Sequence, residues 1–398
     1  KEFTDLRLPN CSYTSIPMIS RAVDDRIVQH FDASTRPDHK EAREAVATLL
    51  DYLHETVMTD LTHLNKLTFL DASENLVVDT YTLRNLEITR NLRDGGKKDT
   101  LLDVLDFTET AMGSRLLKKW LEYPLLNVLP INRRLDAVEE LANDFSLRGG
   151  LRADCKEIHD FERLLTRIEV GTANARDLIA LKISLMCLPE IQQHMADVTS
   201  QVLTTCQQGI RSFDDLVDLL MRSIVDEPGI SLREGGIIKP GYNKELDEYR
   251  RISHDSKTML QEIEEREKEE TGIKSLKIGY NKVFGYYIEV RHSGADLVPD
   301  RYIRKQTLAN AERYITEELK EFETKILGAQ EKIVNIEYNL FTEVREIIKT
   351  RLAEIQSTAH EIAIVDVLVS LAKAATTYNY VRPRMTTDGE ISIKDGRH

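Results

Sequence analysis

Apolar residues recur three and four positions apart along most of the chain, the spacing that places them on one face of an α-helix. Leu50, Leu53 and Val57 are an early example, and residues 82–88 have the same character. Only 18 Gly and 10 Pro interrupt these runs. The pattern predicts a mainly α fold built around a multi-helix core.

The second half of the chain predicts two long helices that flank a short β-rich insert. An apolar stripe from Leu246 to Ile263 marks the first helix, and a second stripe from Ile315 to Leu352 could run about 40 residues, on the order of 60 Å. Between them, 276–280 and 283–290 predict two strands turned around Asn281 and Lys282, and a third extended piece precedes the second helix. The insert is therefore expected at the far end of an antiparallel helical arm.

Turn and capping residues predict where the other helices begin and end. Thr100, followed three positions later by Asp103, has the pattern of a capping box. The last residues, 391–393, predict a short strand. Breaks between helices are expected at Pro124, Pro130, Gly149-Gly150 and 226–241.

The composition is that of a globular chain of two or three domains, since 41% of its 398 residues are hydrophobic and 30% are charged. No run reaches the roughly 18 uninterrupted apolar residues of a membrane span, so we expect a soluble, cytoplasmic protein with no membrane partner. The four cysteines are scattered without a C-x-x-C pair. This favours reduced, mostly buried thiols over a zinc site or a disulfide framework.

A net charge of -13 argues against a surface that is basic throughout. Because affinity for phosphate depends on Lys and Arg, any DNA site must be a local patch. Residues 273–314 form such a patch, in which basic residues outnumber acidic ones. They are Lys274, Lys277, Lys282, Arg291, Arg301, Arg304, Lys305 and Arg313, against Glu289, Asp296, Asp300 and Glu312.

Within this patch, one group of side chains offers charged, amide and hydroxyl donors to phosphate oxygens. Lys282 and Asn281 lie at the predicted hairpin tip, and the others surround a predicted helix start, whose dipole would favour an anion. With no recognition helix for base edges, binding should be independent of sequence and sensitive to salt. The predicted DNA-binding residues are Asn281, Lys282, Arg304, Lys305, Gln306, Thr307, Asn310 and Arg313; the alternative is a solvated basic loop.

Two further groups invite functional interpretations, and both have simpler explanations. The aromatic residues could stack on the bases of a single strand, but packing of the small sheet is the interpretation that we favour. They are Tyr280, Phe284, Tyr286 and Tyr287. The histidines at 159 and 360 have acidic neighbours but lack the spacing of a metal-ligand set, so surface or structural roles are expected.

Five segments, in this order, resemble the bacterial MutS family of DNA mismatch-repair proteins. They are TLRNLEI at 82–88, MGSRLLKKWL at 112–121, GYNKELD at 241–247, GYNKVFGYYI at 279–288 and RKQTLANAERY at 304–314. The terminal DGRH at 395–398 looks like the start of a sixth segment, which leads into that family's ATPase domain.

The resemblance implies a helical core with long antiparallel lever helices and a small inserted α/β clamp domain. It implies the tail of a connector domain at 1–32, core and lever at 33–242, the clamp at 243–314, lever and core at 315–380, and the start of the ATPase domain at 381–398. No G-x-x-x-x-G-K-[ST] motif is found in the chain. We therefore expect no catalysis and no cofactor here, with ATP and Mg belonging to the ATPase domain of the intact protein.

The resemblance also implies the partners: double-stranded DNA, a second copy of the protein in a homodimer, and a MutL-type protein. The expected location is the cytoplasm, in association with the nucleoid. The alternative from the helix pattern alone is a coiled-coil arm that mediates protein–protein interaction or dimerisation without DNA. An enzyme that acts on nucleic acid is disfavoured, since no carboxylate cluster or phosphate-binding loop is recognisable.

Overall fold

The computed structural model describes residues 39–57, 74–229, 231–281 and 285–394, and singly residues 23, 27, 31, 67 and 396. The chain divides into two compact units, Lys1–Val77 and Val78–His398. In the first unit, helix α1 (Lys40–Val57) contributes Leu50 to a small apolar cluster with Ile27 and Phe31. The second unit holds the main core.

The second unit begins with a series of mostly short helices, of which those after residue 110 bury apolar residues in one large core, while Leu102 belongs to a smaller cluster with Leu117 and Val367. The predicted mainly α fold is confirmed. These helices are α2 (Thr80–Asn85), α3 (Leu101–Leu105), α4 (Ala111–Glu122), α5 (Val128–Asn143), α6 (Phe145–Glu157), α7 (Phe161–Val170), α8 (Ala175–Met186), α9 (Leu188–His194), α10 (Gln201–Gly209) and α11 (Asp214–Ser223).

Side-chain caps fix where several of these helices start. Thr100 caps α3 as predicted, because its side chain accepts from the N–H of Asp103. The second half of the predicted box is wrong, since the Asp103 carboxylate accepts instead from the N–H of Asp99, 3.1 Å away. A complete capping box occurs at α8, where Asn174 and Asp177 exchange side-chain and backbone hydrogen bonds.

Two predicted helix breaks are wrong. Pro130 lies in the first turn of α5, where a missing N–H costs no intrahelical hydrogen bond. Gly149 and Gly150 lie inside α6. A Cβ on Gly150 would lie 3.0 Å from the ring of His194 on α9, so this glycine allows the two helices to pack closely.

Helix α14 (Leu352–Tyr378) runs through the core and contacts α4, α5, α6, α7 and α10. Its middle, from Ile362 to Ala372, is mostly buried and apolar apart from Asp366 and Ser370, as expected of a helix that neighbours surround. By length and composition it could cross a membrane, but 67% of its most apolar stretch is buried inside the fold. We therefore describe it as the central core helix.

Two long helices, α12 (Lys244–Thr271) and α13 (Glu317–Lys349), pack side by side. Arg250 near the start of α12 pairs with Glu337 late in α13, whereas Arg266 late in α12 pairs with Glu318 at the start of α13. The helices are therefore antiparallel.

The second long helix is shorter than predicted. It ends at Lys349, and Leu352 already belongs to α14. The break falls at Thr350 and Arg351, without Gly or Pro, and both helices continue to bury apolar residues. The apolar spacing therefore continues across the break, and nothing in the sequence pattern indicates that one helix ends there.

A four-stranded antiparallel sheet lies between the long helices in the chain. Its strands are β1 (Lys277–Asn281), β2 (Gly285–Arg291), β3 (Ile303–Thr307) and β4 (Ala311–Ile315), in the order β1-β2-β4-β3. The two predicted strands are confirmed within a few residues. The third extended piece is β3, but β4 was wrongly assigned to the following helix.

Three smaller predictions have clear outcomes. The short helices end before 226–241 as expected, and that segment contains a 3₁₀ turn at Leu232–Glu234. No strand forms at 391–393 in the described residues, where Ile391 and Ile393 are exposed and have no partner strand. Cys155 and Cys206 are free and buried, and Cys187 is free and half-buried. Cys11 lies outside the described residues.

Candidate nucleic-acid interface

The sheet rests on the ends of α12 and α13 through one apolar face. Ile288 and Val290 of β2 and Tyr314 of β4 are buried there, together with Leu276 and Leu319. These side chains come from alternate positions, as the pleat of a strand requires. The sheet therefore has a small core of its own.

A buried acidic residue, Glu267 of α12, fastens the loop before β3 to the helix. Its carboxylate accepts from the Arg301 guanidinium at 2.7 Å and from the Tyr302 hydroxyl at 2.7 Å. Burial, followed by the hydrogen bond to Glu267, raises the pKa of Tyr302. Arg301 also pairs with Glu270 at 2.7 Å. Arg301 therefore serves to orient the sheet.

Arg313 lies at the centre of the other, polar face of the sheet. Its Nε donates to Glu289 at 3.0 Å and its Nη1 to Gln306 at 3.0 Å. The guanidinium carbon lies 4.2 Å from the centre of the Tyr287 ring, a cation–π geometry. Only 18% of the Arg313 side chain is exposed. Arg313 and Gln306, both predicted to contact DNA, therefore already hold each other.

Two basic residues outside the predicted set share this polar face. Lys277 is opposite Glu289 in the register of β1 and β2, and Arg291 is two residues further along β2. Both are exposed. If β4 had been predicted, the alternation of side chains along the strands would have placed Lys277 and Arg291 on the same face of the sheet as Arg313. The polar face therefore carries more positive than negative charge.

The hairpin formed by β3 and β4 brings together most of the predicted residues. Arg304, Lys305 and Thr307 are exposed on the edge strand β3, and Asn310 is exposed in the turn that follows. Arg304 lies 3.4 Å from Glu312 and keeps 62% of its side chain exposed. Lys305 lies at an irregularity of the β3–β4 register and forms no ion pair among the described residues.

The predicted helix start at these residues is wrong. Helix α13 begins only at Glu317, with Thr316 as its cap. No helix dipole therefore points at Arg304 or Lys305. The predicted extended piece corresponds to β3, but its end was placed too early, because solvent covers both faces of this edge strand and its sequence lacks the alternation of a half-buried strand.

The predicted hairpin tip is separate from this group. Asn281 ends β1, the strand at the opposite edge of the sheet from β3. With strands spaced about 4.8 Å apart, the two edges are roughly 14 Å from each other. Lys282 lies outside the described residues, as does Phe284.

The aromatic residues of the sheet divide between its two faces. Tyr286 packs with Phe322 of α13, at 6.1 Å between ring centres, and with Tyr280, at 5.0 Å. Packing of the sheet is therefore confirmed for Tyr286. Tyr280 remains half exposed, and Tyr287 lies on the polar face beneath Arg313.

No group of His, Cys, Asp and Glu that could hold a metal ion occurs among the described residues. The backbone N–H of His159 donates to Ser184 at 2.8 Å. Asp160 and Glu162 bind the guanidinium of Arg115 at 2.7 Å each. The acidic neighbours of His159 thus have a structural role in joining α7 to α4.

Comparison with known proteins shows where the similarity of the chain lies. Residues 81–372 match the family model described as MutS domain III. The chain is 49% identical over 354 residues to a DNA mismatch repair protein MutS from Alkaliphilus oremlandii; the aligned residues are 89% of this chain and 40% of that protein. It is 50% identical over 353 residues to the MutS of Methanosarcina mazei, covering 88% and 39% of the two chains. It is 43% identical over 396 residues to the MutS of Clostridium botulinum strain Hall, covering 98% and 42%. The chain thus spans about two fifths of the length of these relatives.

Proposed function

The chain belongs to the MutS family of DNA mismatch-repair proteins, and we propose that it supplies a helical scaffold and a clamp that grips duplex DNA. In this proposal residues 243–314, which include α12 and the sheet, form the clamp, and α13 is the lever helix that packs against α12. Residues 33–242 and 315–380 belong to the core and levers. Residues 1–32 and 381–398 belong to the neighbouring connector and ATPase domains.

One observation carries the proposal: the antiparallel helix pair holds a small sheet whose hairpin exposes Arg304, Lys305, Thr307 and Asn310 together. Guanidinium, ammonium, hydroxyl and amide groups are the usual donors to phosphate oxygens. In a chain of net charge -13, such a patch is the exception. It favours contact with the DNA backbone.

The same geometry favours contact with the DNA backbone without recognition of the base edges. Sequence is normally read by an α-helix or a two-stranded ribbon inserted in the major groove. Arg304, Lys305 and Thr307 instead lie on the edge strand of a four-stranded sheet, which is neither a helix nor a free two-stranded ribbon. Binding should therefore be similar for matched and mismatched duplexes.

The helix pair also supports a mechanical role. Two long helices fastened along their length can carry a small rotation at one end into a larger displacement at the other. We propose that they couple the clamp to an ATPase domain elsewhere in the intact protein. ATP and Mg would bind in that domain, and a homodimer and a MutL-type partner belong to the same proposal.

The direct test removes three predicted phosphate contacts together, as Lys282→Gln, Arg304→Gln and Lys305→Gln. Fluorescence anisotropy of a labelled duplex should show weaker binding and a shallower dependence on salt, by up to about one unit of slope for each lost contact. A matched control carries Lys156→Gln, Arg163→Gln and Lys349→Gln, which remove the same charge from exposed positions on α6, α7 and α13.

The control also separates the proposal from a general charge effect. Equal losses in the two triple variants, or no loss in either, would contradict the clamp. The coiled-coil alternative predicts instead a concentration-dependent dimer, measurable by sedimentation, and no salt-sensitive affinity for DNA.

A further inference from the structure

A concave site of about 620 Å³ lies beside α2, on elements other than the sheet. Three arginines line it, Arg84, Arg90 and Arg93, and the threonines Thr80 and Thr89 contribute to the same wall. We infer that this concavity is a second anion site, which binds ligands that carry more than one phosphoryl group. It is independent of the clamp proposal.

The arginines around the concavity have no direct acidic partners within the described part of the chain, although Asp94 and Glu122 also line it. None of the three arginines forms an ion pair with a described residue. Two acidic residues of this segment accept backbone hydrogen bonds instead: Glu87 accepts from the N–H of Leu92 at 2.6 Å, and Asp94 accepts from the N–H of Gly96 at 2.8 Å. Glu122, which also lines the site, lies 3.7 Å from Lys118.

The loop that carries two of these arginines is fixed by its own hydrogen bonds. The Asn91 side-chain oxygen accepts from the N–H groups of Asp94, at 2.9 Å, and Gly95, at 3.2 Å. Its amide nitrogen donates to the carbonyl of Lys98 at 3.1 Å. A ligand therefore meets a backbone that is already ordered, which lowers the entropy cost of binding.

The number of donors favours phosphate over carboxylate. Each guanidinium presents five N–H donors, and the hydroxyls of Thr80 and Thr89 form no hydrogen bond with the described residues. One carboxylate has two oxygens, which a single arginine can satisfy. A diphosphate, or two successive phosphates of a nucleic-acid backbone, offers enough acceptors for three arginines.

Calorimetric titration with pyrophosphate tests the site in the whole chain. The variant Arg84→Gln, Arg90→Gln, Arg93→Gln should weaken pyrophosphate binding by about tenfold or more, since charge-assisted hydrogen bonds are lost. The control triple variant at Lys156, Arg163 and Lys349 should bind as the wild type does. A variant with lysine at the three arginine positions should recover part of the affinity, because it keeps the charge without the two-pronged geometry.

A second arm identifies the source of the phosphate. If the glutamine variant also loses duplex affinity while the control does not, the site contacts the DNA backbone. If only pyrophosphate binding falls, the site takes a free phosphate-bearing ligand. The inference would be overturned if the wild type did not bind pyrophosphate, or if the control variant lost as much affinity as the glutamine variant. It would also be overturned if tetraglutamate bound more tightly than pyrophosphate, which would indicate a site for an acidic protein segment. Clamp variants do not touch this site, so pyrophosphate binding can fail while the clamp proposal stands.

Discussion

Asp366 is a buried carboxylate that joins the central helix α14 to the start of α4. It accepts from the N–H of Glu109 at 3.0 Å, and from the N–H and hydroxyl of Thr110 at 2.8 and 2.7 Å. Burial raises the pKa of Asp366, although these hydrogen bonds oppose the effect. One side chain thus fixes how α4 begins and where it sits on the core.

Replacing this carboxylate by an amide, Asp366→Asn, should lower the free energy of unfolding by roughly 1–3 kcal/mol, because an amide N–H then faces backbone donors. Because the pKa of Asp366 is raised in the folded state, ionisation of this carboxyl lowers the stability of the wild type at pH values above that pKa. This loss of stability disappears as the pH falls below the pKa. The difference between wild type and variant in urea unfolding should therefore widen from about pH 7 towards pH 4. A difference that stays constant or narrows would contradict the burial argument.

A pair of helical glycines tests the same contact sterically. A Cβ on Gly113 of α4 would lie 2.2 Å from the Asp366 Oδ2, whereas one on Gly149 of α6 would meet nothing within 4 Å. Gly113→Ala should therefore destabilise the fold by roughly 1–3 kcal/mol. Gly149→Ala should stabilise it by about 0.5–1 kcal/mol, through helix propensity alone. Thermal melts of the two variants would show the opposite shifts; equal shifts would contradict the packing described.

At the residue scale, the sequence predicts local interactions best. Thr100 was recognised as a cap because the capping pattern involves neighbours in the chain. The roles of Arg313 and Arg301 could not be predicted, since both depend on partners from other elements. Charge alone placed them in the DNA-binding patch, whereas the structure shows them bound to acidic neighbours.

At the scale of elements, the long helices α12 and α13 are joined by ion pairs that differ in burial. The Glu337 carboxylate is 1% exposed and accepts from Arg250 at 2.7 Å and from the N–H of Ile237 at 3.0 Å. Arg266 and Glu318 form another pair between the same helices, with both side chains about half exposed. The first pair also ties the segment before α12 to the helices.

Removing the buried partner should cost more than removing the exposed one. Glu337→Ala leaves the Ile237 N–H without its acceptor and removes one of the partners of Arg250, which keeps the Ile238 carbonyl and Asp247, so we expect a loss of roughly 1–3 kcal/mol in unfolding free energy. Glu318→Ala should cost less than about 1 kcal/mol. Chemical denaturation with matched slopes would measure both. Similar losses of unfolding free energy for the two variants would show that Glu337 contributes no more than Glu318 to holding α12 and α13 together.

A helix or strand could be predicted from the sequence where its apolar residues recur at regular spacing. The apolar stripe from Leu246 to Ile263 predicted α12, which continues beyond the stripe to Thr271. The break at Thr350 and the strand β4 were not predicted. An apolar stripe that continues across a kink does not mark the break, and β4 is a short strand that ends at Ile315, the residue at which the apolar stripe of the following helix was expected to begin.

At the scale of the whole molecule, an acidic helical chain bears two local basic regions. One is the sheet with its exposed β3–β4 hairpin, and the other is the arginine-lined concavity beside α2. The five MutS-like segments identified the family from the sequence. How the predicted DNA-binding residues are grouped could not be foreseen, because it depends on the order of strands in the sheet.

The most direct test of the clamp is a titration of a labelled duplex of about 30 base pairs with the whole chain, matched and mismatched, over a series of salt concentrations. The account predicts weak binding whose affinity falls steeply with salt, by about 0.9 in log–log slope for each phosphate contact, and equally for both duplexes. Absence of binding at low salt, or an affinity that salt does not change, would contradict it.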